Sequence, residues 1–528
     1  MKTIPELKLG FSDAENYQRS ENRELFNSIF VKNMYLDQLL ASNSYFLIGE
    51  KGTGKTAYAV FLQNNDYKDT LSDLKYIRET DYRKFVTLKS EKHLQLSDYA
   101  SIWKVIILLL LSKNIKPSEL ENNPFSKNKK MKALFQAIDD YYANAFSPEI
   151  ISVLNLIENS KIAAELMLKY LTLGGEQSST KSFSESRFQV NLLYIQNEFE
   201  KALSSLKLKF NHILFIDGID IRPGSIPYEE YLDCVKGLAE AIWSINNDFF
   251  ANIKDSKGKL RAVILLRPDI FNSIGLQNST NKLRDNSVYL DWRTSYDNYR
   301  NSQLFLLADK LLSSQQTDKL VLGNAWDYYF PWNAPTVNRE RESDSSFLSF
   351  LRFSYSRPRD LVTMMKFMQD EFNEKHKIKS KVFTLEHFDS NEFRNKYSEY
   401  LLGGIKDQLA FYYTPKDYST FYHFFSFLNG KAKFTYQEYI STYNEFRKYV
   451  DKNHIPVPQF LDTADTFLQF LYDSNIICYV EEGEQITLFR WCYRQRNLTD
   501  ISPQVKTNTR YEIHYGLYKS LNVGIITH

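Results

Sequence analysis

The sequence predicts an α/β protein: a parallel five-stranded core with a helical insertion, followed by a helical lid and a C-terminal winged-helix-like domain. Three observations predict this. Short apolar runs recur between stretches of helical spacing, the pattern of a parallel sheet covered on both faces. The first such run ends in a glycine-rich loop that opens a helix. Beyond residue 404 the order changes to helix, helix, hairpin, the outline of a winged helix.

The bulk numbers frame the prediction. The chain has 528 residues, 43% of them apolar and 25% charged, ordinary for a globular protein. At about 100–200 residues per domain, about two to four domains are expected. The boundaries fall at 1–290 for the core (insertion about 116–206), 291–403 for the lid and 404–528 for the last domain. A net charge of +2 excludes a general nucleic-acid field, though not a local patch. The three cysteines, Cys234, Cys478 and Cys492, have no metal spacing and suit a reducing compartment. The N-terminus lacks the apolar segment of a signal peptide. The longest apolar run, Val105 to Leu111, is far short of the ~20 residues that cross a bilayer. It reads as a buried helix. A cytoplasmic protein without membrane contact is expected.

In chain order, residues 30–40 have helical spacing and precede the strand Tyr45 to Ile48. A helix follows the loop. A second strand is expected at Lys84 to Leu88 and a helix from Ser97. The stretch 116–206 exceeds what a crossover needs and includes the basic run Lys127 to Lys132, the pattern of a solvated loop. Strand signals return at His212 to Ile216, Arg261 to Leu266 and Ser287 to Leu290. In the last domain, Thr435 and Glu438 form a capping-box signature. A second helix near Asp462 to Tyr472 sets Leu461, Phe467, Leu468 and Leu471 on one face. Strands at Ile476 to Val480 and Gln485 to Trp491 complete the outline.

The loop Gly49-Glu50-Lys51-Gly52-Thr53-Gly54-Lys55-Thr56 fits G-x-x-x-x-G-K-[ST], the P-loop, in full. Its glycines let backbone N–H groups curl around phosphate oxygens, and the following helix offers its positive end. Lys55 is placed to reach the β- and γ-phosphates and Thr56 to ligate magnesium. Magnesium takes oxygen ligands, and Asp217 supplies one from the neighbouring strand. Asp220 is the candidate to orient an attacking water. The bland reading of Asp217-Gly218 is a strand-ending turn. ATP (or ADP) with Mg2+ is the cofactor set, and the sequence does not separate ATP from GTP.

Two further arginines are candidates. Arg267 ends the strand before Pro268, at the sheet edge where ligands bind in open α/β folds; a surface arginine opening a loop is the alternative. Arg357 and Arg359 flank Pro358 at a helix start with the apolar face Leu361, Met364, Met365, Met368 and Phe372. Cations there face the positive end of the dipole, at a cost of about 0.3–1 kcal/mol. An anion between them resolves this, as does pairing with Asp360.

Together these residues resemble the AAA-like branch of P-loop ATPases that contains the ORC-type and STAND (NACHT-like) proteins. Phe30-Val31 is similar to the adenine-contacting segment of that branch, with Lys32-Asn33 where it usually has Gly-Arg. Asp217-Gly-Ile-Asp220 resembles the NACHT form of the second acidic motif. Ile221 stands where a further acid is common, which implies slow hydrolysis. Leu265-Leu-Arg267 is similar to the first sensor, whose arginine reads the γ-phosphate, and Ser356-Arg-Pro-Arg359 to the second, with Arg359 on the matching position. The resemblance implies roles for Asp220, Arg267 and Arg359 in catalysis. The stretch 217–300 also resembles a poorly characterised group of bacterial ATPases often linked to anti-phage defence.

These features predict a nucleotide-gated ATPase switch that oligomerises and engages a protein effector. The alternative is an ATP-dependent DNA loader or remodeller. The second helix of the winged-helix outline carries Asp462, Asp465 and Asp473 and no Lys or Arg, whereas DNA-reading helices use basic residues on phosphates. Arg490, Arg494 and Arg496 on and after the hairpin are DNA candidates, and the run Lys127 to Lys132 in the insertion is the other, with a solvated loop as its alternative. Arg222, Arg293 and Arg300 are unranked candidates for an arginine acting in trans.

Overall fold

The computed structural model describes residues 1–77, 96–121, 124–144, 185–222, 224, 226–334, 345–375, 381–483, 487–497 and 500–524. The chain divides into two compact units. One comprises 34–49 and 55–289; the other comprises 1–33, 50–54 and 290–528.

The first unit is built on five parallel strands, β1 (Phe46–Ile48), β2 (Thr70–Tyr76), β3 (Asn211–Asp217), β4 (Leu260–Leu266) and β5 (Ser287–Tyr289), in the order β2-β3-β4-β1-β5. Every residue of β1 and β4 is buried, as strands of a doubly covered parallel sheet must be. The register aligns Ile48 with Leu266 and with Tyr289. One sheet edge therefore collects the chain just after each strand, including Gly49 and Arg267. The helices Lys55–Asn64, Leu96–Asn114, Pro124–Asn144, Glu185–Ser205 and Tyr228–Ser244 surround or extend the sheet. Val105 to Leu111 lies wholly buried in the second of these.

Three expectations change. The second strand is Thr70–Tyr76; the expected strand Lys84 to Leu88 lies outside the described residues. β2 sits at the sheet edge with only Thr70 and Leu74 buried, so it carries no apolar run to betray it. The strand bearing Asp217 is not the neighbour of the loop-bearing strand, because β4 lies between them. The basic run Lys127 to Lys132 lies on the helix Pro124–Asn144 instead of a loop.

In the second unit, Trp326 stacks on Phe330 and meets Phe347 and Phe350 edge-on. The helix Pro358–Lys375 follows, with Leu361, Met364, Met365, Met368 and Phe372 all buried. Farther along, Thr435 caps the helix Tyr436–Lys452 reciprocally with Glu438. The helix Ala464–Asp473 comes next, with Phe467, Leu468 and Leu471 buried beside Leu461. A four-stranded antiparallel sheet closes the chain, from β6 (Lys433–Thr435), β7 (Ile477–Glu482), β8 (Thr487–Trp491) and β9 (Arg510–Ile513), in the order β6-β9-β7-β8. Among the described residues, no helix is long and apolar enough to cross a membrane.

Candidate functional site

In the first unit, β1 runs into the loop with the Gly49 amide on the Leu266 carbonyl at 3.1 Å. Lys55 opens the helix Lys55–Asn64; its side chain is buried and its Nζ donates to the Gly49 carbonyl at 2.8 Å. The Thr56 hydroxyl donates to Asp217 Oδ2 at 2.6 Å. The structure thus brings Thr56 and Asp217 together across the intervening strand β4. The other carboxylate oxygen of Asp217 accepts the Gly218 amide at 2.7 Å. Gly218 has φ +88°, and a Cβ there would lie 2.7 Å from the Ile77 carbonyl, so the turn after β3 requires glycine.

Asp217 is buried, and burial raises its pKa. The nearby Asp220 raises it further, while Thr56, Lys55 and the Gly218 amide pull it back; the net shift is upward. A buried carboxylate held high, touching a threonine hydroxyl, is an oxygen donor set that a divalent cation would relieve. Asp220 is half-buried and makes no hydrogen bond or ion pair among the described residues. Arg267 is 1% exposed and pairs with Asp269 through two bonds, of 3.1 and 2.8 Å. It is not a surface arginine.

In the second unit lies the remainder of the loop, Glu50 to Gly54. The Thr53 amide and hydroxyl both donate to the Glu50 carbonyl, at 3.2 and 2.8 Å, closing a turn. Three other carbonyls of this turn are held by donors from distant chain segments. Arg357 reaches Lys51 O at 2.9 Å, the Arg359 amide reaches Gly52 O at 3.3 Å, and Trp292 Nε1 reaches Thr53 O at 2.8 Å. In a planar trans peptide the N–H points opposite the carbonyl. Holding the Lys51 and Thr53 carbonyls therefore fixes the directions of the Gly52 and Gly54 amides. Neither amide has a partner among the described residues.

The side chains of Glu50 and Lys51, two residues of the expected cofactor loop, are engaged in ion pairs. Glu50 pairs with Arg496 at 2.6 Å and Lys51 with Asp407 at 2.7 Å. Arg357 pairs with Asp360 through two bonds of 2.9 Å, and the Asp360 carboxylate is fully buried, so the pair is not a solvated one. Arg359 Nε donates to the Ser12 carbonyl at 2.9 Å. Phe30 and Val31 are buried; Phe30 meets Phe26 edge-on, and its carbonyl accepts Lys310 Nζ at 2.6 Å. Sequence reasoning missed Trp292 and the Glu50–Arg496 pair, since no local spacing links residues so far apart in the chain.

The hairpin arginines are engaged as well. Arg490 pairs with Glu481 at 2.8 Å. Arg494 lies over the rings of Tyr296 and Tyr493. Of the other candidates, Arg293 is bonded to Asp291 and the Arg494 carbonyl, Arg300 to Asp327, and Arg222 to the Ile226 carbonyl. No family model, curated protein or solved structure matches the chain.

Proposed function

We propose that this chain is a magnesium-dependent ATPase acting as a nucleotide-gated, oligomerising switch. The observation that carries the reading is the Thr56 hydroxyl on the buried Asp217 carboxylate at 2.6 Å, next to the buried Lys55. A glycine-rich turn with two amides that have no partner among the described residues supports it. Lys55 would leave the Gly49 carbonyl for the β- and γ-phosphates, and the Gly52 and Gly54 amides would take phosphate oxygens. Thr56 and Asp217 would hold Mg2+, which when bound neutralises charge on the phosphates. Asp220, free of other partners among the described residues, would accept a hydrogen bond from the attacking water. Arg267 and Arg359 would read the γ-phosphate only by exchanging their present partners, Asp269 and the Ser12 carbonyl.

Helix, helix and hairpin in the last part of the chain support a winged-helix-like module. The basic residues on and around its hairpin argue against duplex DNA as the partner: Arg490 and Lys506 both pair with Glu481, Arg510 pairs with Glu482, and Arg496 pairs with Glu50. Phosphate binding draws on unpaired cations. A protein effector fits better, and Leu488 and Phe489 on β8 are exposed for one.

The test is titration of a fluorescent ATP analogue with Mg2+ into the wild-type and Lys55→Ala chains, with particle mass measured alongside. We expect Lys55→Ala to weaken binding by about tenfold or more, ~1.4 kcal/mol per decade. We also expect wild-type mass to rise with a non-hydrolysable analogue. Equal binding by the two proteins would overturn the assigned phosphate site. Unchanged mass would overturn the oligomerising switch.

A further inference from the structure

The geometry points to Arg496 as a positioning residue for the phosphate loop: acting through Glu50, it makes nucleotide affinity depend on the C-terminal module that carries it. This inference rests on the ATP-binding reading above.

Arg496 is 5% exposed and its Nη1 lies 2.6 Å from Glu50 Oε1. Its Nη2 donates to the Asp473 carbonyl at 3.1 Å, at the last residue of the helix Ala464–Asp473, and lies 3.7 Å from the Asp473 carboxylate. One guanidinium therefore ties the second residue of the phosphate loop to a helix C-terminus, where a cation is favoured. Burial opposes the charge of Arg496, but the Glu50 and Asp473 carboxylates outweigh it, so the group stays protonated.

The Nε of Arg496 has no partner among the described residues. Its desolvation is thus only partly repaid, and such a pair adds little net stability. Removing one member is different, because it strands a buried charge. Glu50 would have to move, and its carbonyl closes the turn by accepting both the amide and the hydroxyl of Thr53. The Gly52 and Gly54 amides lie in that turn. The neighbouring Lys51–Asp407 pair provides a contrast: Asp407 is 65% exposed, and an open pair is worth little.

The experiment compares the affinities of fluorescent ATP and AMP analogues, with Mg2+, for the full chain. The variants are Arg496→Gln, Glu50→Gln, both together, Asp407→Asn and Lys55→Ala, each checked by thermal melting. We expect either single change at the buried pair to weaken ATP by about tenfold, with AMP affected much less. The double variant should be no weaker than the worse single. Asp407→Asn should stay within about twofold of wild type. Equal losses for ATP and AMP, or additive losses in the double variant, would overturn the inference. So would retention of ATP affinity by both singles while Lys55→Ala loses it. If Arg496→Gln does not fold, Glu50→Gln, which keeps the side chain's shape, carries the test alone by the ATP-to-AMP criterion. Wild-type protein that binds no ATP would instead overturn the ATPase reading itself.

Discussion

Replacing Gly52 by alanine tests the proposed phosphate loop at a point where its backbone is constrained. Gly52 has φ +93°, and an added Cβ would lie 3.1 Å from Arg359 Cβ and 3.5 Å from its Cδ. The positive φ alone costs an L-residue about 1–2 kcal/mol. The Arg359 Cβ is fixed to the first turn of the helix Pro358–Lys375, so it cannot swing away as a side-chain tip would. Relieving that contact adds about 1 kcal/mol. The total is about 2–3 kcal/mol, or a fall of about 5 °C in melting temperature for a unit of this size. The Gly52 carbonyl would also lose its 3.3 Å bond to the Arg359 amide, so ATP affinity should fall with stability. Gly403 is the internal control: it sits inside the helix Asn391–Leu409 with nothing within 4 Å of its would-be Cβ. There alanine should stabilise by about 0.5–1 kcal/mol. Thermal melts and analogue titrations of both variants decide the matter. A Gly52→Ala protein that melts and binds as wild type does would refute the reasoning about this loop.

Other perturbations have directions fixed by the same geometry. Asp217 has a raised pKa, so its favourable contribution is present below the unfolded value and is lost as pH rises through the folded one. Near neutrality Asp217→Asn should therefore raise the melting temperature without Mg2+ and abolish the extra stabilisation that ATP gives with Mg2+; persistence of that extra stabilisation would remove Asp217 from the metal site. Burial pushes the His212 pKa down to about 4 and the His514 pKa down to about 3. Both contributions are whole above the unfolded value of about 6.5 and are lost as pH falls through the folded ones, up to about 3 kcal/mol for His212. Melting temperature should fall between about pH 6.5 and 4, and His212→Gln should flatten part of that slope. A slope unchanged by the substitution would show that His212 does not titrate as its burial requires.

The sequence by itself determined what is local. Gly49 to Thr56, the strand before it and the helix after it follow from neighbouring residues, because loop curvature and helix starts are short-range properties. The same holds for the reciprocal cap of Thr435 and Glu438, and for the apolar face of Pro358–Lys375. Apolar runs also revealed β1, β3 and β4, since a strand buried on both faces has to be largely apolar; β5, an edge strand with only Val288 buried, is read from the short run Ser287 to Leu290. β2 escaped because an edge strand has no such requirement. Only the tertiary structure decided the rest. It placed β4 between the strands that bear the loop and Asp217, yet left Thr56 and Asp217 in hydrogen-bond contact. It took Arg267 out of solvent and gave it Asp269. It spent the Glu50 carboxylate on Arg496, 446 residues away, and set Trp292 and Arg357 on the loop's carbonyls. Partners so distant in the chain leave no periodicity or spacing to read. They are chosen by which buried donors and acceptors must satisfy one another once the chain is packed.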